Sequence, residues 1–221
     1  MDRTPFDIPF ERLPGTIPIF PLAGVLLLPQ GKLPLNVYEP RYLAMVDDAL
    51  RGDRLVGMIQ PSDPGHVGLS PPVHGVGCAG RITRFAETED GRYLITLTGV
   101  CRFQVGEELP QVRGYRRVVP VWDRFRADCG GEPPCDVDRS RLLNALRGYF
   151  KLQQISADWA AIEATPDGKL VTLLAMICPF APDEKQLLLE APDPGGRAEL
   201  LIALMEMAVV RGAATDGALP N

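Results

Sequence analysis

The side chains best suited to nucleophilic or soft-metal chemistry are few: His66 and His74, the cysteines at 78, 101, 129, 135 and 178, and the serines at 62, 70, 140 and 156. No serine sits in a Gly-x-Ser-x-Gly turn, so an activated hydroxyl has no visible scaffold. A Cys–His pair would have to join a loop histidine to Cys78 or to a more distant cysteine. Structural zinc favours closely paired ligands, whereas His66, His74, Cys78, Cys129 and Cys135 are separated by intervals that form no Cys-x-x-Cys knuckle. We therefore expect no metal and no cofactor, two loop histidines, and free, mostly buried thiols. Gly168-Lys169 continues into Leu170 without the hydroxyl of a phosphate loop, and Gly75-Val-Gly77-Cys-Ala-Gly80 runs into the strand-like Arg81–Phe85 rather than into a helix. The acidic groups Asp47-Asp48, Glu87, Glu89, Asp90 and Glu107-Glu108 read as solvated faces, since nothing near them promises the burial that tunes a catalytic carboxylate.

Two other clusters suggest binding rather than catalysis. Arg113, Tyr115, Arg116 and Arg117 form the densest basic and aromatic group, suited to nucleic-acid phosphates or to a charged strand edge. The stretch from Thr16 to Asn36 carries more hydrophobes and prolines than one edge strand can bury, so its side chains either fill the interior of a barrel or line a groove. Within it, Phe20 and the run Val25, Leu26, Leu27, Leu28 are candidate peptide contacts. Alternation in an extended strand would turn about half of that run outward.

The elements that must hold these residues follow from periodicity. Up to Trp122 short apolar runs at 17–20, 33–37, 55–59, 76–85, 93–105 and 112–121, separated by Gly, Pro and Asp, predict strands. A hairpin over Glu89-Asp90-Gly91 should set Phe85 opposite Tyr93. One helix interrupts them, with Pro40 in its first turn, Tyr42, Leu43, Val46 and Leu50 on a stripe, and Gly52 at its end. From 123 to 135 every pattern breaks, as in a linker. Beyond it the period is helical: Leu142, Leu146, Tyr149 and Phe150 share a stripe, Ser156 should cap a short helix, and Thr165-Pro166 and Asp193-Pro194 should each open another. The segment 170–178 is apolar nearly all round and should be a central buried helix. The predicted organisation is a strand region 1–122 with one helix, a linker 123–135, a helical bundle 136–212 and a flexible tail 213–221, an α+β chain.

Composition agrees with a folded, non-membrane protein. The 221 residues are 46% hydrophobic and 23% charged, with a mean hydropathy of +0.01 and a net charge of -5. Lys+Arg and Asp+Glu balance at 13 each up to Trp122, and stand at 10 against 15 beyond it, so the acidity lies in the helical half. An acidic balance argues against general binding to nucleic acid or anionic lipid. The N-terminus lacks the basic start and apolar core of a secretory signal, and no stretch is long enough to span a bilayer, so a cytoplasmic location is expected.

Four ordered motifs carry a resemblance: Ile17-Pro-Ile-Phe-Pro-Leu22; Leu33-Pro-Leu-Asn-Val-Tyr-Glu-Pro-Arg-Tyr42; Val76-Gly-Cys-Ala-Gly-Arg-Ile82; and Leu97-Thr-Gly-Val-Cys-Arg-Phe103. Together they resemble the N-terminal, substrate-binding domain of Lon protease. The resemblance implies a PUA-like pseudo-β-barrel followed by a C-terminal helical bundle, and a free-standing, bacterial relative of a recognition domain. The ATPase and Ser-Lys peptidase motifs of the full protease are not found, so no enzymatic activity is carried over. Glu39, Arg41 and Tyr42 fall on the family's helix-start motif and, with Tyr38, join the candidate peptide contacts, while Arg102 falls on its Gly-x-x-Arg position, where a guanidinium fork suits an internal carboxylate. The expected partners are unfolded or apolar segments of other proteins, in an adaptor role in protein quality control, with homo-oligomerisation left open. The alternative is a PUA-like module binding RNA through Arg113, Tyr115, Arg116 and Arg117.

Overall fold

A computed structural model describes residues 8–63, 65–131 and 135–216. In chain order its elements are β1 (Ile17–Pro21), β2 (Lys32–Val37), α1 (Pro40–Arg51), β3 (Leu55–Ile59), β4 (Val76–Glu87), β5 (Tyr93–Val112), β6 (Tyr115–Val121), α2 (Arg139–Leu152), α3 (Trp159–Ala164), α4 (Asp167–Ile177), α5 (Pro182–Glu190) and α6 (Pro194–Asp216). Short 3₁₀ segments lie at Phe10–Arg12 and Asp123–Cys129. The chain is α+β and forms two compact units, Met1–Glu132 with Phe180–Leu189, and Pro133–Pro179 with Glu190–Asn221. The segment around α5, which follows four helix-rich stretches in sequence, thus packs with the strands.

In the strand unit the sheet runs β2-β5-β4-β3-β1-β6, and β6 also pairs with β5. Five strands therefore close on one another, with β2 as a flap on the outer edge of β5. All pairings are antiparallel except β1 with β3. One strand serves three neighbours because β5 is twenty residues long and its ladders shift register at four places, each irregularity adding bend and twist. The predicted strands at 93–105 and 112–121 are redrawn accordingly: β5 continues to Val112, and Arg113-Gly114, both at positive φ, make the two-residue turn into β6. The hairpin over 88–92 forms, but Tyr93 lies opposite Glu87 and Phe85 opposite Ile95. The two rings meet diagonally on one face, edge to face at 4.9 Å.

Helix α1 starts at Pro40 and ends before Gly52 as its punctuation predicts, burying Tyr42, Ala44, Met45, Val46 and Ala49. Its carboxylates are not the solvated pair expected. Asp47 accepts from the Tyr93 hydroxyl, while Asp48 accepts from the Tyr115 hydroxyl and from Arg113, so Asp47 and Asp48 tie α1 to β5, the turn and β6.

The helical unit places α2 and α4 against α6. Leu142, Leu146, Tyr149 and Phe150 of α2 are buried, as are Leu201, Ile202, Leu204 and Met205 of α6. Asp193 caps α6 as predicted, its carboxylate accepting from Gly196 N at 2.8 Å. Elsewhere the caps differ. Asp158, not Ser156, accepts the Ala161 amide of α3, and the Thr165 hydroxyl donates back to Ala161 O, closing α3 instead of opening α4. Helix α4 is less enclosed than its composition suggests: Ile177 is 68% exposed. Arg139 donates to the carbonyls of Glu163 and Thr165 at the end of α3 and pairs with Asp167, a cation where the helix dipole favours one. Of the predicted tail, 213–216 continue α6 and 217–221 lie outside the described residues; of the predicted linker, 123–129 is 3₁₀ helix and 132–134 lie outside them. Among the described residues no helix is long and apolar enough to cross a membrane.

Candidate functional site

The proline-held segment after β1 is not extended strand. Residues 25–28 lack regular structure, and Leu26, Leu27 and Leu28 are all buried, with only Val25 half-buried. The expected outward half is absent because strand alternation does not apply to an irregular segment. Instead the backbone presses onto the sheet where side chains are missing. A Cβ on Gly99 would fall 1.9 Å from Leu28 O, and one on Gly80 would fall 2.6 Å from Leu27 Cδ2. The Gln30 amide donates to Gly99 O and the Gly99 amide to Gly31 O, both at 2.8 Å, so the segment is stitched to β5. From α5, the Lys185 ammonium donates to Gly24 O at 2.9 Å, and Gln60, accepting the Gly24 amide, donates to Gln186 and Pro182 O. Leu26, Leu27 and Leu28 are core.

The helix-start motif divides in the same way. Tyr42 is buried and stacks on Phe20, itself 7% exposed, at 4.1 Å between ring centroids; burial pushes the Tyr42 hydroxyl above the ordinary tyrosine range. Arg41 holds the Glu39 carboxylate at 2.8 Å, lies over the Tyr42 ring and donates to Leu69 O of the β3–β4 loop. Tyr38 alone of the candidate aromatics is open, 64% exposed, with the Arg92 guanidinium 5.9 Å from its ring centroid.

Beside Tyr38 the sheet supplies a groove that periodicity did not show. Pro34 and Asn36 of β2 are in register with Thr96 and Leu94 of β5, and these with Arg84 and Ala86 of β4, so the six side chains share one face. They line an open depression of about 800 Å³ together with Leu35, Thr83, Phe85 and Ile95. Leu94 is 46% exposed. Its lining mixes an apolar floor with the Asn36 amide, the threonine hydroxyls and the Arg84 guanidinium, an arrangement fit for an extended chain with apolar side groups. The residues come from three strands and span positions 34 to 96, which is why sequence order hid them.

The basic cluster does not offer free cations to phosphates. Arg116 is 8% exposed, bidentate to Glu108 at 2.7 Å through both oxygens, and donates to Pro71 O. Its guanidinium holds the Glu108 carboxyl below the usual carboxylate range, so Glu108, exposed as the sequence suggests, is also an ion-pair partner. Tyr115 is buried against Asp48, Arg113 pairs with Asp48, and Arg117 donates to Pro110 O. The RNA-binding alternative finds no support in this geometry. Arg102, at the Gly-x-x-Arg position, forms the internal fork: Nε and one terminal nitrogen bind Asp128 at 2.9 and 2.8 Å, and the other donates to Leu189 O. His66 is exposed and His74 half-buried in the β3–β4 loop, and among the described residues no three His, Cys, Asp or Glu gather as metal ligands.

Comparison with known proteins agrees with this architecture. The family model described as the ATP-dependent protease La (LON) substrate-binding domain matches residues 16–207. Lon protease 2 of Myxococcus xanthus is 26% identical over 203 residues, covering 88% of this chain and 24% of that protein; Lon protease of Anaeromyxobacter dehalogenans is 26% identical, with 88% and 23% covered. The chain thus spans about a quarter of the length of these curated relatives. Among solved structures, a Lon N-terminal domain protein from Xanthomonas campestris matches with a TM-score of 0.60 at 23% identity, covering 85% of this chain and 97% of the other. The N-terminal domain of a Mycobacterium avium complex Lon protease gives 0.59 at 14%, covering 86% and 98%. A closed ring of strands with a proline-held segment pressed into it, the Glu-Pro-Arg-Tyr helix start and a family match across most of its length together place this chain in the Lon substrate-binding domain family.

Proposed function

We propose that this chain is a non-enzymatic recognition module of PUA-like architecture that binds exposed apolar segments of unfolded polypeptides, acting in the cytoplasm as an adaptor in protein quality control. The observation that carries the reading is the groove on the β2–β5–β4 face, an exposed apolar floor rimmed by hydrogen-bonding side chains on a domain of a substrate-binding family. Of the residues first considered as contacts, Tyr38 is open and Val25, Glu39 and Arg41 are partly accessible, whereas Phe20, Leu26, Leu27, Leu28 and Tyr42 are buried. A peptide laid along β2 would pack apolar side chains on Leu94 and Pro34 while Asn36 and Arg84 meet its backbone carbonyls. The groove's openness suits varied sequences better than one.

The test is Leu94→Glu, read by fluorescence anisotropy with a labelled, permanently unfolded casein. Binding should weaken roughly tenfold, about what loss of one apolar anchor removes, with the melting temperature unchanged because the side chain is half exposed. Unchanged affinity in a folded variant would remove the groove from the site.

A further inference from the structure

One pair of thiols stands outside everything described so far. Cys101 lies on β5 with no exposure, and its sulfur is 3.4 Å from Phe125 O in the 3₁₀ segment Asp123–Cys129. Cys129 is the last residue of that segment and is half-buried. Each thiol shifts the pKa of the other, Cys129 raising that of Cys101 and Cys101 lowering that of Cys129. Their chain neighbours are clamped as well: the Arg102 amide donates to Asp128 at 3.0 Å, and the Arg102 guanidinium grips the same carboxylate with two further bonds. Residues 101–102 and 128–129 are thereby held side by side. The structure assigns a modification site to this pair: Cys101 and Cys129 form an oxidisable dithiol that a hydroperoxide converts into an intramolecular disulfide.

The asymmetry of the pair sets the order of events. Cys101, buried with its sulfur against the carbonyls of Arg102 and Phe125, stays a thiol, and its side chain holds the Cys129 thiol below its usual range; burial, Asp128 and Glu11 oppose this effect and Arg126 favours it. Cys129 is also the member that a small oxidant can reach. Its thiolate attacks the peroxide, forming an S–O bond as the O–O bond breaks and an alcohol or water leaves. The Cys101 sulfur then attacks the sulfenic sulfur; the S–S bond forms, the S–O bond breaks, and the departing hydroxide takes the Cys101 proton as water. Two thiols lose two electrons and the peroxide gains them. Closing to a bond of about 2.05 Å requires side-chain rotation between segments already clamped through Arg102 and Asp128. The product staples the 3₁₀ segment to β5 and closes a long loop of chain, which restrains the unfolded state.

The experiment uses the full chain treated with hydrogen peroxide, followed by intact-mass measurement and a non-reducing peptide map. The expected result is loss of two hydrogen masses, a single cross-link joining the Cys101 and Cys129 peptides, and a melting temperature raised by several degrees that dithiothreitol returns to its starting value. Cys129→Ser should abolish the cross-link while folding normally, since that side chain is half exposed, and Cys135→Ser should leave it intact. A Cys129–Cys135 link, a disulfide dimer, addition of oxygen to Cys129 without a cross-link, or no reaction would each overturn the assignment. None of these readouts requires a polypeptide substrate.

Discussion

The strand unit and the helical unit solve the same burial problem by different means. In the strand unit, backbone presses on backbone where glycines leave room, and the polar groups trapped by that closeness are satisfied over long sequence distances, as by Arg102 with Asp128 and Gln60 with Gln186. In the helical unit, apolar stripes pack through side chains, caps are made within three residues, and charged pairs such as Arg141 with Glu206 stay at the surface. One unit has positions where a single methyl group cannot be accommodated. The other has positions where losses scale with the volume removed.

The sharpest way to break this contrast is Gly99→Val. A Cβ would sit 1.9 Å from a carbonyl oxygen that belongs to backbone and cannot swing aside. The expected loss exceeds about 5 kcal/mol, enough to leave little native protein, and circular dichroism or soluble yield reads it. A well-folded valine variant would show that the Leu26–Pro29 segment can lift off β5.

Next in size is Asp128→Ala, which strands a guanidinium whose side chain is 4% exposed. Removing one partner of such a pair costs about 3–5 kcal/mol, measurable by urea unfolding. Because this penalty comes from the abandoned charge, Arg102→Met in the same chain should recover much of it; failure of the double variant to recover would assign the loss to the Leu189 and backbone contacts instead.

On the helical side, Leu204→Ala should cost about 2–5 kcal/mol, the side chain being 5% exposed on the packed face of α6. A loss below about 0.5 kcal/mol would put this stripe among ordinary surface positions and erase the distinction between the units.

The smallest expected effect is pH-dependent. Arg116 holds the Glu108 carboxyl below its unfolded range, so the pair's stabilisation is fully present above that range and is lost as pH falls through the folded value. Wild type and Glu108→Gln should therefore differ in melting temperature at neutral pH and converge as pH falls below the ordinary carboxylate range. With Glu108 44% exposed, solvent screening keeps the difference under about 1 kcal/mol. A gap that persists to the acid limit would mean the side chain acts through packing rather than charge.

How much was legible beforehand follows the reach of each interaction. The strands, the Pro40 to Gly52 helix and the Asp193 cap rest on contacts within a few residues, and their signals stand in sequence order. The ordered motifs were enough to indicate the family, because each records a local demand: a helix start at Glu39-Pro40, a missing side chain at Gly80 and Gly99, a fork at Arg102. What those demands were for was decided only in three dimensions. That Leu26, Leu27 and Leu28 are core depends on two glycines some fifty and seventy residues away, and on a helix more than 150 residues away that returns to cover Gly24. That Arg116 is a structural cation depends on Glu108 and a loop carbonyl at Pro71. The groove exists because register sets Pro34, Leu94 and Ala86 on one face, and the proposed thiol pair depends on a 3₁₀ segment held to β5 by Asp128 on Arg102 and by Phe125 O on Cys101. Local chemistry is written along the chain, whereas which side chains share a face or lose their solvent is a property of closure.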